Sequence, residues 1–528
     1  MKNWSKKIGV AVALSALAVT GLSAPAFANS KTSITMADSQ AGSVGIKQIA
    51  SPWFNSGALS QLVMFRGLFR ANPDLATVKP DLASGHKVSK DGKTYTITLK
   101  SGLKWSDGKP ITTDDVIWSM NTVLRVAQAN AIYVTSFKQI EGAADVSSAN
   151  TKTITGLTAK GNDITVQLTA PQQSFLSVLG QFMILPKHVL EDESVLLLAT
   201  NNFWKNPVTS GPFKVGTLSP DNFITLVLNP NYEGAKPKIT EINVISSANP
   251  VADARSGKID YFTSNDAEVI RSMQKVSTFK SNAVPIAFYR YFVFNLADSE
   301  NPLQNVKSRE ALKYGVNWNS LIKLLYPNGK VINSGVTSGM PHHDNTIPKY
   351  TFNPTKAKEL LKEADFDFSK TVRLRYYHGG QADIAFMTAV AQQMISLGMK
   401  VDVLKFQGDA TTELVTTRKY DLALKGLSAF NVSECYSEYS NASTYEKVHG
   451  PQPEFAALNL KLSQATSFRQ TGAILKALQK LEQEKLVKLP LNNLQQYVFV
   501  SKRIAGTSKF GNPLYIYDNN FANWSITN

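Results

Sequence analysis

Between Asp91 and Trp118 the chain reads strand, turn, strand, turn, helix, an order that a generic β-β-α unit would also show. Tyr95, Ile97 and Leu99 alternate with Thr94, Thr96, Thr98 and Lys100, the two-residue period of a strand with one buried face. Ser101-Gly102 punctuates, Leu103 and Trp105 resume the alternation, and Asp107-Gly108 turns the chain again. Thr112 with Asp115 three residues on approximates a capping box, and Val116, Ile117, Met120 and Leu124 give the next helix one apolar face. Strand-like and helix-like segments are mixed throughout the remainder, which points to α/β or α+β layers.

The N-terminus has the three parts of a secretory signal peptide. Lys2, Lys6 and Lys7 supply positive charge, Ile8 to Leu22 an apolar stretch too short to span a bilayer, and Ala26-Phe27-Ala28 a cleavage site. The mature chain is expected to begin at Asn29 and to lie outside the cytoplasm, in the periplasm or at the cell surface. No cysteine lies near the cleavage site to carry a lipid. Cys435 is the only cysteine of the 528 residues, which excludes an internal disulfide and any multi-cysteine metal site. Loss of residues 1–28 removes three lysines and no acid, leaving 53 basic against 40 acidic side chains, or +13. Such a surplus favours anionic polymers, and for an exported chain without a basic-aromatic module that means cell-wall polyanions rather than nucleic acid.

The 91–118 segment closely resembles the signature of the peptide/nickel class of extracytoplasmic solute-binding proteins, family 5, whose members hand a captured solute to an ATP-binding-cassette importer. The resemblance continues in order along the chain. Asp163 to Thr169 alternate, and Ala170-Pro171 and Phe175-Leu176 follow, then Ile184-Leu185-Pro186-Lys187-His188 resembles the family's helix-entry segment. Ser210-Gly211-Pro212-Phe213-Lys214 opens a hairpin that ends in the turn Asn229-Pro230-Asn231-Tyr232. Ser256-Gly257-Lys258-Ile259-Asp260 is similar to a short strand entry, and Asn301-Pro302-Leu303 to Asn317-Trp318 to a family helix. Leu303 and Asn317-Trp318 depart there from the usual Phe and Asp-Arg. Tyr350 to Leu361 resembles the next helix start.

The resemblance implies an α/β, periplasmic-binding-protein-like two-lobed fold (cluster C, type II) with an extra inserted subdomain. One lobe would comprise residues 29–71, 209–288 and 491–528, the inserted subdomain 72–208, and the second lobe 289–490. Chain crossings near Phe288-Tyr289 and Leu489-Pro490 would form a hinge, which needs only a few residues able to rotate.

Catalytic and metal-binding patterns are missing from the sequence. His86, His188, His342, His343, His378 and His449 are scattered, and adjacent His342-His343 is better explained as a surface loop than as a metal site. There is no G-x-S-x-G elbow, no P-loop and no G-x-G-x-x-G. Asp114-Asp115 sits where a helix N-terminus attracts negative charge. A non-enzymatic chain without a cofactor is expected.

Family members that bind peptides hold them extended between the lobes, with an aspartate for the α-ammonium in a Gly-Trp-x-Ala-Asp-Tyr segment. Here the equivalent stretch is Gly426-Leu427-Ser428-Ala429-Phe430-Asn431, after Tyr420-Asp421. Phe430 replaces the anchoring carboxylate, and a ring offers an ammonium at best a cation–π contact. Glu434 or Glu438 is the alternative source of that charge; otherwise both are solvated loop acids. The resemblance also places Trp53, Phe54, Tyr289, Tyr291, Tyr377 and His378 among residues facing the solute, with tyrosine suited to varied ligands. The expected partners are a peptide or other small solute and the permease subunits of an importer, with the receptor a monomer. The alternative function is a surface-retained adhesion or scaffolding protein held by its basic charge.

Overall fold

The computed structural model describes residues 32–38, 53, 63–74, 77–126, 129–150, 154–172, 174–219, 223–284, 288–326, 329–338, 340–429, 432–439, 445–465, 467–493, 495–511 and 515–527. The signal-peptide features of residues 1–28 lie outside the described residues. The strands fall into two large mixed sheets, a four-stranded antiparallel one and two two-stranded ribbons.

The seven-stranded sheet has Ser33–Asp38 at its centre, parallel to Glu241–Ser246 on one side and to Tyr261–Ser264 on the other. Phe223–Leu228 and Phe213–Ser219 extend one edge as the expected hairpin, with Phe213 opposite Leu228. Gly211, which opens that hairpin, lies so close to the carbonyl of Val63 that a Cβ would stand 2.3 Å from it. Asn229 closes the turn by donating from Nδ2 to the Gly211 carbonyl at 2.9 Å. Buried Asp260 has a structural job: it accepts from the Thr35 backbone N–H at 2.8 Å and pairs with the Arg503 guanidinium, tying three remote segments together.

The four-stranded sheet orders Ala83–Val88, Thr94–Leu99, Asp163–Gln167 and Leu157–Lys160, all antiparallel. Tyr95, Ile97 and Leu99 are buried and Thr98 is exposed, as the alternation requires. Helix Thr113–Val123 starts where expected, with the Asp115 carboxylate accepting from the Thr112 N–H at 2.8 Å. The same carboxylate also accepts from Lys187 N–H at 2.9 Å, docking helix Lys187–Leu190. Leu103 and Trp105 do not form the second strand that their alternation suggests. Both are buried, and the pairing is short: around Gly108, at φ 88°, the Trp105 N–H donates to the Lys109 carbonyl at 2.8 Å and the Ile111 N–H to the Leu103 carbonyl at 3.0 Å, which leaves one isolated bridge, Lys104 to Pro110.

The six-stranded sheet runs Lys330–Val331, Lys488–Asn493, Phe288–Phe294, Leu422–Ser428, Thr371–Tyr376, Lys400–Lys405. Phe288–Phe294 serves two interiors at once. Phe292 and Phe294 pack with Trp318, Phe386 and Met394, from helices Trp318–Leu325 and Gln381–Ser396. Tyr289, Tyr291 and Val293 pack on the opposite face with Phe455, Leu475 and Leu478, from helices Pro453–Ser463 and Phe468–Lys485. A central strand apolar on both faces must be covered on both.

The chain passes between the two large sheets twice. Val284 pairs with Gln496 in one and Tyr289 with Asn493 in the other, so the passages lie between 284 and 288 and between 493 and 496. The second is later than expected, because Leu489 and Pro490 are still inside a strand, opposite Phe292 and Tyr291. Pro490 is tolerated there beside a register shift between Arg290 and Tyr291, where the ladder is already interrupted. Among the described residues no helix is long and apolar enough to cross a membrane, and no group of three or more His, Cys, Asp or Glu could hold a metal ion.

Candidate functional site

The strand ends that lead into the two passages bring a row of polar side chains to one face of the six-stranded sheet. Arg290 stands opposite Asn492 on one neighbouring strand and opposite Gly426 on the other. Beyond Gly426, the Tyr377 hydroxyl accepts from the Gly426 N–H at 3.2 Å, and the His378 ring stacks on Tyr377 with centroids 4.1 Å apart. A Cβ at Gly426 would stand 2.5 Å from the tip of the Phe288 ring, so a side chain there would displace that ring.

Helix Gln381–Ser396 supplies Asp383 to this row. Its carboxylate is ion-paired with the Arg290 guanidinium and accepts the Tyr326 hydroxyl at 2.5 Å, while Arg290 lies over the Tyr326 ring, 5.1 Å from its centroid. Burial, then the neighbouring Arg290 charge, pulls His378 down to about 4, so the imidazole is neutral at physiological pH. Several buried atoms of the row make no hydrogen bond: Arg290 Nε, His378 Nδ1, both amide atoms of Asn492, and Gln496 Oε1 just past the second passage. Buried polar groups are nearly always paired, and the described side chains supply no partner for these five atoms.

The opposite face is closed. Glu438 accepts the Tyr291 hydroxyl at 2.6 Å, lies 2.5 Å from the Lys425 ammonium, and is ion-paired with Lys488. Burial opposes its ionisation, but the two lysines overcome that and hold the carboxyl well below its usual range. Glu438 is therefore neither a solvated loop acid nor a spare charge for a solute amine; its charge is spent inside. Tyr289 donates to the Cys435 carbonyl at 3.1 Å, and burial raises both the Tyr289 phenol and the Cys435 thiol, leaving the thiol inert. Glu434 is half-buried, and its charge adds to burial in raising the phenol of Tyr515, from the C-terminal segment.

His378 and Gly426 thus meet at the seam, while Tyr377 beside them packs against the closed interior. Leu427 and Ala429 turn into the closed interior, and the Ser428 backbone pairs with Phe288. Tyr289 and Tyr291 are sealed in that same interior and present no surface to a ligand in this conformation. Trp53 is fully buried elsewhere, stacked on Phe182 and donating from Nε1 to the Met183 carbonyl at 2.8 Å. Phe54, Phe430 and Asn431 lie outside the described residues. Sequence reasoning overlooked Arg290, Asp383, Tyr326 and Asn492. The available signal was a charge between Tyr289 and Tyr291 and an amide pair ending an otherwise apolar strand. A separate hollow of about 640 Å³, lined by Leu296, Val415, Arg418 and Lys447, lies away from the seam.

Residues 77–446 match the sequence profile of the bacterial extracellular solute-binding proteins, family 5 (middle segment). A Brucella ovis protein assigned by its name to the peptide-binding proteins of ABC transporters is 27% identical over 376 residues, which is 68% of this chain and 66% of the relative's own length. The chain thus spans just under two thirds of that relative. The glutathione-binding protein GsiB of Salmonella typhimurium is 26% identical over 417 residues, covering 77% of this chain and 75% of the relative. Among solved structures, the ABC transporter substrate-binding protein CtaP of Listeria monocytogenes superposes with a TM-score of 0.78 at 20% identity, over 94% of this chain and 99% of that one. Lactococcal OppA, closed around an endogenous peptide, gives a TM-score of 0.75 at 21% identity, over 94% and 100%. These likenesses place the fold among the two-lobed binding proteins.

Proposed function

Because the chain belongs to the bacterial extracellular solute-binding proteins of family 5, we propose that it captures a peptide between its lobes and delivers it to the permease of an ABC importer. The observation that carries this reading is the seam itself: two large sheets joined by two short passages, with unpaired polar atoms gathered beside them. We assign one lobe to residues 29–71, 209–284 and 496–528, an inserted subdomain to 72–208 and the other lobe to 288–493, with the boundaries expected at 288 and 490 moved to the two passages. Rotation about the passages would open and close the lobes, and the solute shifts the population towards the closed form by binding it more tightly.

In this reading Tyr377, His378, Gly426, Ser428, Phe430 and Asn431 face the solute, joined by Phe54. Trp53, Tyr289, Tyr291, Leu427 and Ala429 support the walls from behind. The family is a class of binding proteins, so no covalent chemistry is assigned. Export by the N-terminal leader, with cleavage after Ala28, and a monomeric receptor belong to the same proposal. The adhesion alternative draws no support from the relatives, although the basic surface remains a route to retention on anionic wall polymers.

Native mass spectrometry of gently purified protein tests the reading directly. A mass excess matching short peptides, and a rise in melting temperature when a peptide mixture is restored, are the expected results. Protein that carries no cargo and is stabilised by no peptide mixture refutes it.

A further inference from the structure

We infer that the outward face of helix Phe468–Lys485 is a docking strip for a linear polyol-phosphate polymer of the cell wall. The inference gives a place to the wall retention proposed above and does not depend on which solute the lobes enclose. The inner side of this helix packs Leu475 and Leu478 against the six-stranded sheet. From the pitch of an α-helix, Arg469, Lys476 and Lys480 fall within about 20° of one line on the outer side, about 10 and about 6 Å apart along the axis. All three are exposed, and among the described residues none has an ion-pair partner. The lysine charges reach Asp344, but that carboxylate is buried and accepts the Thr346 hydroxyl at 2.7 Å, so the surface stays positive. Exposed Glu484, one turn past Lys480, bounds the strip.

At its start the strip carries an aromatic platform that the core does not explain. Phe468 is 72% exposed, the most of any large apolar side chain among the described residues, and the His342 ring lies against it with centroids 4.0 Å apart. His342 reaches that position in a left-handed backbone conformation, φ 66°, that residues other than glycine seldom adopt. Gly472, one turn on from Phe468, leaves room for the ring: a Cβ there would stand 2.6 Å from His342 Nδ1. A strained histidine and a glycine inside a helix both weaken a fold, and such departures gather where a surface has a task beyond stability. A polymer of alternating phosphate and polyol units supplies what the strip lacks. Its phosphates meet the Arg469 guanidinium as a fork and the two ammoniums as point charges, and the C–H groups of a polyol unit cover the Phe468 and His342 rings. The basic surplus of the mature chain draws such a polymer in from a distance.

The test titrates a synthetic glycerol-phosphate hexamer into the full mature chain by calorimetry at low and at high salt. Wild type is expected to bind the hexamer at low salt and to release it as salt rises. Arg469→Gln, Lys476→Gln and Lys480→Gln together are expected to weaken binding about tenfold. Lys87→Gln, Lys90→Gln and Lys104→Gln remove the same charge from exposed positions of the inserted subdomain and are expected to change it by less than about twofold. Phe468→Ala is expected to weaken the hexamer about threefold and to leave the binding of a linear polyphosphate of equal charge unchanged. All the substituted side chains are exposed, and an unchanged melting temperature identifies the folded variants. Any of four results would overturn the strip: no binding of the hexamer at low salt, equal losses from the two triple variants, displacement of the hexamer by an equal concentration of inorganic phosphate, or a folded Phe468→Ala that binds the hexamer as wild type does. Peptide retention is measured on the same samples and is expected to match wild type throughout. Its absence from wild type would count against the receptor reading and leave the strip standing.

Discussion

Glu482 offers the most direct test of the buried electrostatics that hold the second large sheet. It lies in helix Phe468–Lys485, is 0% exposed, and its Oε2 accepts from the Gly335 N–H at 2.9 Å and the Tyr436 hydroxyl at 3.0 Å. Its other oxygen has no partner. Burial pushes this carboxyl up from 4.5 to about 7, against smaller lowering effects from Gly335, Lys488, Tyr436 and Lys313. The folded chain therefore keeps a proton that the unfolded chain releases, and stability falls as pH rises from about 4.5 to 7, then stays level. At about 1.4 kcal/mol per tenfold change in proton affinity, the penalty above pH 7 is on the order of 3 kcal/mol. Glu482→Gln keeps an acceptor for Gly335 and Tyr436 and cannot ionise. The variant should match wild type near pH 4 and exceed it by up to about 3 kcal/mol at pH 8. Hydrogen exchange of the helix amides in a urea series at pH 4, 6 and 8 reads the free energy of this unit without requiring the whole chain to unfold in one step. A difference that does not change with pH, or a variant weaker than wild type at pH 8, would refute the reasoning.

Removing Glu438 should be far more damaging, because Glu438→Ala strands Lys425 and Lys488 in the interior; a loss of about 3–5 kcal/mol is expected, and an unchanged urea midpoint would contradict the pairing. Asp260→Asn should cost about 2–3 kcal/mol by weakening the Arg503 pair, read as a lower melting temperature that Arg503→Leu in the same chain does not lower additively. His378 is held neutral well below its ordinary 6.5, so the folded state loses stability as pH falls from about 6.5 to 4; His378→Gln should remove that part of the acid sensitivity in a pH series of melting temperatures. Asp115→Ala frees both the Thr112 N–H and the Lys187 N–H and should cost about 1–2 kcal/mol, with faster exchange at both helix starts.

What the sequence made legible was whatever depends on neighbours along the chain. The alternation of Tyr95, Ile97 and Leu99 reports one buried face, and that face is buried because Asp163–Gln167 and Ala83–Val88 pair on either side. The Asp115 cap and the Phe213 hairpin are local in the same way. The alternation through Leu103 and Trp105 reported their burial correctly, but the arm it marks pairs over a single bridge and not a ladder. The site was harder to read, for a physical reason: its row is assembled across strands, from residues 290, 378, 426 and 492, with Asp383 brought in by a helix. Periodicity says that Arg290 and Tyr291 point to opposite faces, but not which face is sealed. That is decided by Lys425, Glu438 and Lys488, whose three charges meet only after the sheet forms and close the Tyr291 side. With that side filled, the unpaired atoms of Arg290 and Asn492 are left on the other one. Of the aromatic residues that the sequence nominated as ligand contacts, Tyr289 and Tyr291 are the ones that wall this charge cluster.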